Sequence, residues 1–195
     1  SAMVLLKLVT KIKFPNFKRE TRFISLSDED NYALFHGDIK ISGDVNTRAK
    51  IIKAKDYLKN IEEVEEPYRA AKSARLDGEA FMVGAIARIN NSHQKLNPLA
   101  KGVLKGLRWK FPQYNSFENI TAQAIEIVHA LEENNKLLKD LDKNLKPEDS
   151  QGKALNLISK ANPLGKTVTG IDAMEAPRGT LYHRYSIDKN GYITD

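Results

Sequence analysis

The spacing of apolar residues after Ser116 constrains the fold of this chain more than any other feature. Apolar side chains recur there at alternating steps of three and four, interrupted by Asn134, at Phe117, Ile120, Ala124, Ile127, Leu131, Leu138, Leu141 and Leu145. This spacing predicts one long amphipathic helix over residues 117–145, roughly 43 Å long at 1.5 Å per residue. A helix of this length lies along other helices or along a partner. We therefore expect the stripe to form the core of a bundle, with a dimeric coiled coil as the alternative.

The segments before this helix predict a small antiparallel sheet followed by helices. Short apolar pieces, several of them alternating at period two, predict strands at residues 4–9, 11–14, 22–26, 33–35 and 39–41. Helical spacing follows over about residues 46–61, and residues 70–78 have the composition of a loop. Pro98 suits the first turn of another helix, which should end near Leu107.

A hairpin is expected at the end of the chain. Asn190-Gly191 is a tight-turn dipeptide, and Tyr185, Ile187 and Tyr192 lie on either side of it. The complete pattern predicts an α+β fold with a small antiparallel sheet, a helical bundle with one long amphipathic helix, and a C-terminal β-hairpin. We expect one compact unit of three regions, namely a small β-sheet region at 4–45, a helical region at 46–166 and a hairpin region at 167–195.

Composition excludes several classes of function. The chain has no cysteine, which rules out disulfides, thiolate catalysis, iron-sulfur ligation and cysteine-based zinc sites. Its four histidines show no metal-ligand spacing, so we expect neither a metal site nor a cofactor in this chain alone. The net charge of +6 is dispersed among acidic residues, so no nucleic-acid partner is expected. With no apolar run of about 18 residues and no leader-like start, we expect a cytoplasmic protein that has no membrane partner.

Residues 174–183 have the pattern most suggestive of chemistry. Pro177 fixes the φ angle beside Arg178, and Gly179 follows where the backbone must turn. The Arg178 guanidinium could therefore be held at a set position and presented to a site. An ordinary structural ion pair would fit the same pattern.

Two blocks of this sequence resemble the large subunit of nickel-iron hydrogenases. Residues 175–181 read Glu-Ala-Pro-Arg-Gly-Thr-Leu and precede His183, which resembles a segment near the carboxyl end of that subunit. Residues 81–90 read Phe-Met-Val-Gly-Ala-Ile-Ala-Arg-Ile-Asn and resemble the family's Y-M-V-G-A-L-A-R-L-N region. The resemblance is to the cytoplasmic, multi-subunit kinds that couple hydrogen to a nicotinamide or deazaflavin carrier.

The resemblance implies roles for individual residues. Arg178 and Pro177 would be the catalytic positions, because the family's arginine lies over the nickel-iron centre and its proline helps to enclose the iron's cyanide ligands. Leu181 is a candidate wall residue, and Arg88 is a candidate supporting residue behind the site. For a full-length parent the resemblance implies a nickel-iron centre, a hydrogenase small subunit, and diaphorase-type or carrier-reducing subunits. The electron acceptor stays open between nicotinamide, deazaflavin, ferredoxin and sulfur.

The sequence departs from the family pattern at the metal ligands. Hydrogenases bind their metals through two C-x-x-C motifs, and this chain has neither. Either the chain is a segment of a large subunit without its metal-binding ends, or it is a relative that has lost the cysteines, as in the quinone-reducing subunit of respiratory complex I. The tag-like Ser1-Ala2 before Met3, and a finish at Asp195 soon after the predicted turn, favour the segment.

We therefore expect a segment of a nickel-iron hydrogenase large subunit that is inactive alone. Its parent would be an oxidoreductase that catalyses reversible hydrogen oxidation with electron transfer to a soluble carrier. The alternative is a cysteine-free hydrogenase-like or complex I-like scaffold or interaction module without redox chemistry. In an isolated segment the apolar stripe would lose its cover, so we expect self-association through helix 117–145. Arg178 should lie exposed without a buried carboxylate partner, while Glu175 and Pro177 keep the turn.

Overall fold

A computed structural model describes residues 2–43, 48–144 and 165–194 of the chain. Its first half contains helix α1 (Ala2–Val9) and strands β1 (Arg22–Ser27), β2 (Asp38–Ser42), β3 (Lys50–Ile52), β4 (Ile61–Val64), β5 (Ser73–Leu76) and β6 (Phe81–Met82). The rest of the chain contains helices α2 (Ala85–Ser92), α3 (Pro98–Leu107) and α4 (Asn119–Asn144) and strands β7 (Val168–Ala176) and β8 (Gly179–Ile187). Short 3-10 helices lie at Ala54–Lys59, His93–Lys95 and Ser116–Glu118. This element order confirms the α+β fold class.

A four-stranded sheet, in the order β3-β2-β1-β6, lies between α2 and the β7–β8 hairpin. β1 runs antiparallel to β2 and parallel to β6. Alternation along β1 points Ser25 toward α2, where it accepts a hydrogen bond from Asn91, and points Ile24 and Leu26 into a cluster with Ala173 of β7. Because both faces are covered, the middle of β1 is buried on each side.

The helices pack on one another beneath this sheet. Seven of the eight residues of α2 are buried, and Ile86 and Ile89 lie in one cluster with Ala122 and Ile125 of α4. α3 begins at Pro98 as predicted, because a proline at the first helical position loses no hydrogen bond. Helix α2 is therefore held between the sheet and α4. Within the described residues, no helix is both long enough and apolar enough to cross a membrane.

The amino-terminal residues fold differently from the prediction. Residues 4–9 belong to helix α1 rather than a strand, because Leu6 and Val9, three residues apart, lie on one face and pack on Ala124 of α4. A six-residue segment with five apolar residues fits either period, and tertiary packing decides between them. The strands predicted at 11–14 and 33–35 are also absent from the described structure.

The helix predicted over residues 46–61 is wrong for the described part of that range. The chain instead forms β3, a 3-10 helix and the start of β4. Ile52 pairs opposite Ile39 in the sheet, so cross-strand burial overrides the helical spacing. The loop predicted at 70–78 likewise contains β5, which pairs with β4.

The long helix is confirmed, but its predicted core face is wrong. Six stripe residues are between 41% and 62% exposed, namely Phe117, Ile120, Ile127, Leu131, Leu138 and Leu141. Ala124 alone among the described stripe residues is buried, against α1. The buried face of α4 is instead formed by Thr121, Ala122, Ile125, Val128 and His129. Leu145 lies outside the described residues.

The C-terminal hairpin is confirmed, with its turn earlier than predicted. β7 and β8 pair from Val168 opposite Ile187 to Ala176 opposite Gly179, so the turn is at 177–178. Asn190-Gly191 lies in a second, smaller turn that ends in a bridge between Ile187 and Ile193. The division into regions 4–45, 46–166 and 167–195 stays a prediction.

Candidate functional site at the β7–β8 turn

The candidate site is the two-residue turn between β7 and β8. Ala176 pairs with Gly179, which leaves Pro177 and Arg178 as the exposed tip of the hairpin. Proline fixes one backbone angle of this tip. The tip rests on the loop that leads into α2, so the two sequence blocks that resemble hydrogenases meet in space.

Two glycines make this close approach feasible. A Cβ on Gly84 would lie 3.0 Å from the carbonyl oxygen of Arg178, and Gly84 has a φ of +81°. A Cβ on Gly179 would lie 2.7 Å from Cγ2 of Val83. Any larger residue at these positions would push the turn away from α2.

Arg88 of α2 lies directly behind the turn with 2% of its side chain exposed. Its Nε and Nη2 donate to the two oxygens of Glu126, at 2.6 and 2.7 Å, and its Nη1 donates to Glu175 at 2.7 Å. The remaining two hydrogen bonds go to the backbone carbonyls of Ala176, at 2.9 Å, and Pro177, at 3.1 Å. All five N–H groups of the guanidinium are therefore used.

The two carboxylates beside Arg88 have further hydrogen-bond donors. Glu175, whose side chain is fully buried, accepts from the amide of Leu26 at 2.7 Å and the hydroxyl of Thr180 at 3.0 Å. Glu126 accepts from the hydroxyl of Tyr32 at 2.6 Å. Two negative charges surround one guanidinium, and these neutral donors compensate the excess.

Burial and charge in this cluster shift two pKa values. Burial alone would lower the pKa of Arg88, but the hydrogen bonds and charges of Glu126 and Glu175 raise it above its ordinary value. Burial, helped by the negative charge of Glu126, raises the pKa of Tyr32. At neutral pH, Arg88 is a cation and Tyr32 keeps the proton that it donates.

A cavity beside this cluster has a volume of about 470 Å³, which is within the usual size range of small-molecule sites. Its wall includes Tyr32, Phe35, Gln123, Glu126, His129 and Pro177. Nδ1 of His129 accepts a hydrogen bond from the amide of Asn97 at 3.1 Å, and burial lowers the pKa of this histidine. The wall therefore combines a neutral imidazole with the Arg88–Glu126 ion pair.

The structure brings together some of the residues singled out in the sequence. Pro177 and Arg88 are in direct contact through a hydrogen bond, and Arg178 follows immediately. The Arg178 side chain is exposed and forms no ion pair with any residue in the described part of the chain. Leu181 is also exposed, on β8 opposite Met174, and does not line the cavity.

Glu126 and Tyr32 belong to the site but were not predicted from the sequence. Glu126 lies between Ile125 and Ile127 with no motif around it, 38 positions after Arg88 in the sequence. Its position on the inner face of α4 would have been the available signal, but the face was wrongly predicted. Among residues 2–43, 48–144 and 165–194, no group of three or more His, Cys, Asp or Glu side chains could hold a metal ion.

Comparison with known proteins gives the family. The sequence profile of the family described as nickel-dependent hydrogenase matches residues 26–195. The β subunit of the NAD-reducing hydrogenase HoxS of Cupriavidus necator is 31% identical over 87% of this chain and 34% of its own length. The α subunit of sulfhydrogenase 1 of Pyrococcus furiosus is 30% identical over 85% of this chain and 35% of its own length.

A third relative covers less of the chain. It belongs to the F420-non-reducing hydrogenase vhu of Methanococcus voltae and is 33% identical over 58% of this chain and 25% of its own length. The chain thus spans about a third or less of the length of these three relatives. Since the profile match covers most of the sequence, including both blocks that meet at the β7–β8 turn, the chain belongs to the nickel-dependent hydrogenase family.

Proposed function

We propose that this chain is a segment of a nickel-iron hydrogenase large subunit whose parent catalyses reversible hydrogen oxidation with electron transfer to a soluble carrier. The observation that carries the proposal is the Pro177-Arg178 turn, which is held against Gly84 and Arg88 and presents a guanidinium that has no ion-pair partner among the described residues. Membership of the hydrogenase family supports it. The relatives' names include NAD-reducing and sulfur-linked enzymes, so the carrier stays open.

The contribution proposed for this chain is a fixed positive charge. Arg178 is exposed, and the backbone on both sides of it is held by α2 and the residues leading into it. An arginine keeps its proton at any ordinary pH, so electrostatic positioning suits Arg178 better than proton acceptance. Pro177 and Leu181 would form the adjoining surface.

The residues of this chain do not fit as ligands of a nickel-iron centre. Such a soft metal site requires thiolates, and the sequence has no cysteine. The described residues also offer no cluster of three or more metal-binding side chains. We therefore propose that the 195-residue chain is inactive alone and that cysteines outside it bind the metals.

The proposed partners follow from the family. The relatives' names designate them as parts of multi-subunit enzymes. We therefore propose two partners in the cytoplasm, the hydrogenase small subunit together with a carrier-reducing subunit.

Self-association through helix 117–145 is proposed for the isolated chain, because the apolar stripe of α4 is exposed.

A cysteine-free scaffold or interaction module is the second candidate, and the absence of cysteine favours it. Sequencing the gene beyond both ends of this segment distinguishes the hydrogenase segment from the cysteine-free module. A longer reading frame with C-x-x-C on both sides, whose purified product reduces a dye under hydrogen, is the expected result. A natural reading frame that holds no cysteine, and a product without hydrogen-dependent dye reduction, would contradict the enzyme and support the module.

A further inference from the structure

We infer that Arg88, held by Glu126 and Glu175, is the positioning residue for Arg178. The inference rests on the proposed function for its catalytic meaning, although its geometry does not depend on that function. Arg88 acts through the backbone of the turn, since its hydrogen bonds reach the carbonyls of the two residues that precede Arg178.

Three successive carbonyls of the turn are held by one short stretch of chain. Arg88 binds the carbonyls of Ala176 and Pro177, and the carbonyl of Arg178 packs against Gly84. Gly84 accepts the amide hydrogen bond of Arg88, so both contacts belong to the first turn of α2. An exposed two-residue hairpin tip is otherwise among the most mobile parts of a fold.

Arg178 needs such support because its own side chain supplies none. Within the described ranges it has neither an ion-pair partner nor a hydrogen bond. The position of its guanidinium therefore depends on the backbone of the turn, to which Arg88 donates two hydrogen bonds.

The two carboxylates fix the orientation of Arg88 itself. Glu126 binds Nε and Nη2 together, which defines the plane of the guanidinium from the side of α4. Glu175 binds Nη1 from the strand that enters the turn. Buried ionic clusters contribute little net stability compared with apolar packing, so a cluster with five satisfied donors is better suited to specifying one geometry.

Lysine is the decisive substitution at position 88. It keeps the charge but has three donors on one atom, so it cannot satisfy both carboxylates and both carbonyls. In Arg88→Lys of the 195-residue chain, we expect the ¹⁵N order parameters of the Arg178 and Gly179 amides to fall from about 0.85 to below about 0.6. Amides of β1 and α4 should keep their wild-type values.

Arg22→Lys is the matched control. Arg22 also pairs with two carboxylates, Asp77 at 2.6 Å and Glu79 at 3.4 Å, and donates to the carbonyl of Leu76, but it contacts neither turn residue. If the role of Arg88 were merely structural, Arg88→Lys would loosen the whole fold rather than the turn alone. The positioning role of Arg88 is supported if the order parameters fall only at the turn and if they fall in Arg88→Lys but not in Arg22→Lys.

A milder pair of variants covers the case in which Arg88→Lys does not fold. Thr180→Val removes the hydroxyl that donates to Glu175 and keeps the side-chain shape, whereas Thr180→Ser keeps the hydroxyl. We expect reduced order at Arg178 in the valine variant and wild-type order in the serine variant. Unchanged order in the valine variant, or in a folded Arg88→Lys chain, would overturn the inference.

The measurement separates this inference from the proposed function. The ¹⁵N order parameters of the turn are measured in the metal-free chain and do not require hydrogen turnover. If the turn loosens as expected and the gene encodes no C-x-x-C motif, positioning stands and only the hydrogenase proposal fails. If the turn keeps its order, positioning fails whatever the gene encodes.

Discussion

The carbonyl oxygen of Arg178 lies against Gly84, so close that a Cβ on Gly84 would be 3.0 Å from it. Gly84 has φ +81° and ψ −161°, a region that is open to glycine and costly for other residues. This contact joins the residue with the clearest functional pattern to the start of α2. It also explains why glycine occurs at this place in the second hydrogenase-like block.

Replacing Gly84 with alanine should therefore destabilise the fold. We expect Gly84→Ala to lower the free energy of unfolding by about 1–3 kcal/mol from backbone strain, measured by urea denaturation. Gly102→Ala in α3 is the control, because apart from the adjacent residues and the backbone of its own helix no described atom lies within 4 Å of its added Cβ. Alanine there should raise stability by about 0.5–1 kcal/mol. Equal effects of the two substitutions would contradict the close contact.

Neutralising Glu175 tests the buried cluster. Glu175→Gln places an amide among the donors of Arg88, Leu26 and Thr180, so some of them lose their acceptor. Hydrogen bonds to charged groups are worth about 1.5–3 kcal/mol each, and we expect a loss of at least that size in urea denaturation. The exposed Glu20, paired with Lys18, is the comparison, and Glu20→Gln should have no measurable effect. A Glu175→Gln protein of wild-type stability would show that the cluster is not coupled to the fold.

Stability should decrease on mild acidification. Burial lowers the pKa of His129 and of His93 in the folded chain, whereas a histidine in the unfolded chain has a pKa of about 6.5. The unfolded state then binds more protons, so the stabilising contribution of each neutral ring is complete above about pH 6.5 and is lost as the pH falls through the interval below it. For His129, the charges of Glu133, Glu126 and Glu132 oppose this shift in part.

Urea denaturation between about pH 5 and 7.5 checks this dependence, because the carboxylates with lowered pKa values titrate below that range. His129→Gln should reduce the slope of unfolding free energy against pH. Adding His93→Gln should remove most of the pH dependence that remains. A slope that survives both substitutions would require another titrating group.

Local sequence pattern was enough for the elements whose apolar spacing agrees with their burial. Strands β1 and β2 and helix α3 are such elements. The helical period was also enough to predict the extent of α4, although not its buried face. It was not enough for residues 4–9, where one short apolar run fits both periods and the contact of Leu6 with the Ala124 cluster selects the helix.

The orientation of α4 depended on tertiary contacts that no local pattern contains. Its apolar stripe is largely exposed, while the inner face includes Thr121 and His129, whose polar groups a binary pattern assigns to solvent.

Only part of the candidate site was predicted from the sequence. The motif located Pro177 and Arg178, but Glu126 is 38 residues from Arg88 and could be paired with it only in three dimensions.

The exposed stripe of α4 should drive self-association. Leu138 and Leu141 are 62% and 54% exposed and lie on the helix face that also carries Leu131. We expect the isolated chain to sediment as a dimer at high concentration and Leu138→Lys/Leu141→Lys to sediment as a monomer with unchanged unfolding free energy. Lys139→Ala, at an exposed position outside the stripe, should leave the dimer intact. A wild-type chain that is monomeric throughout would contradict this.

Substitution of Arg178 should change the stability of the fold very little but should strongly reduce the activity of the proposed parent enzyme. Its side chain is exposed and forms no ion pair among the described residues, so Arg178→Lys should change the free energy of unfolding by no more than about 0.5 kcal/mol. In the proposed parent hydrogenase the same substitution should lower hydrogen turnover by orders of magnitude, because lysine cannot reproduce a planar guanidinium at a fixed position. Arg19→Lys, another exposed arginine, should leave turnover unchanged. A large loss of stability combined with near-normal turnover would mean that Arg178 is structural, and its functional assignment would have to be withdrawn.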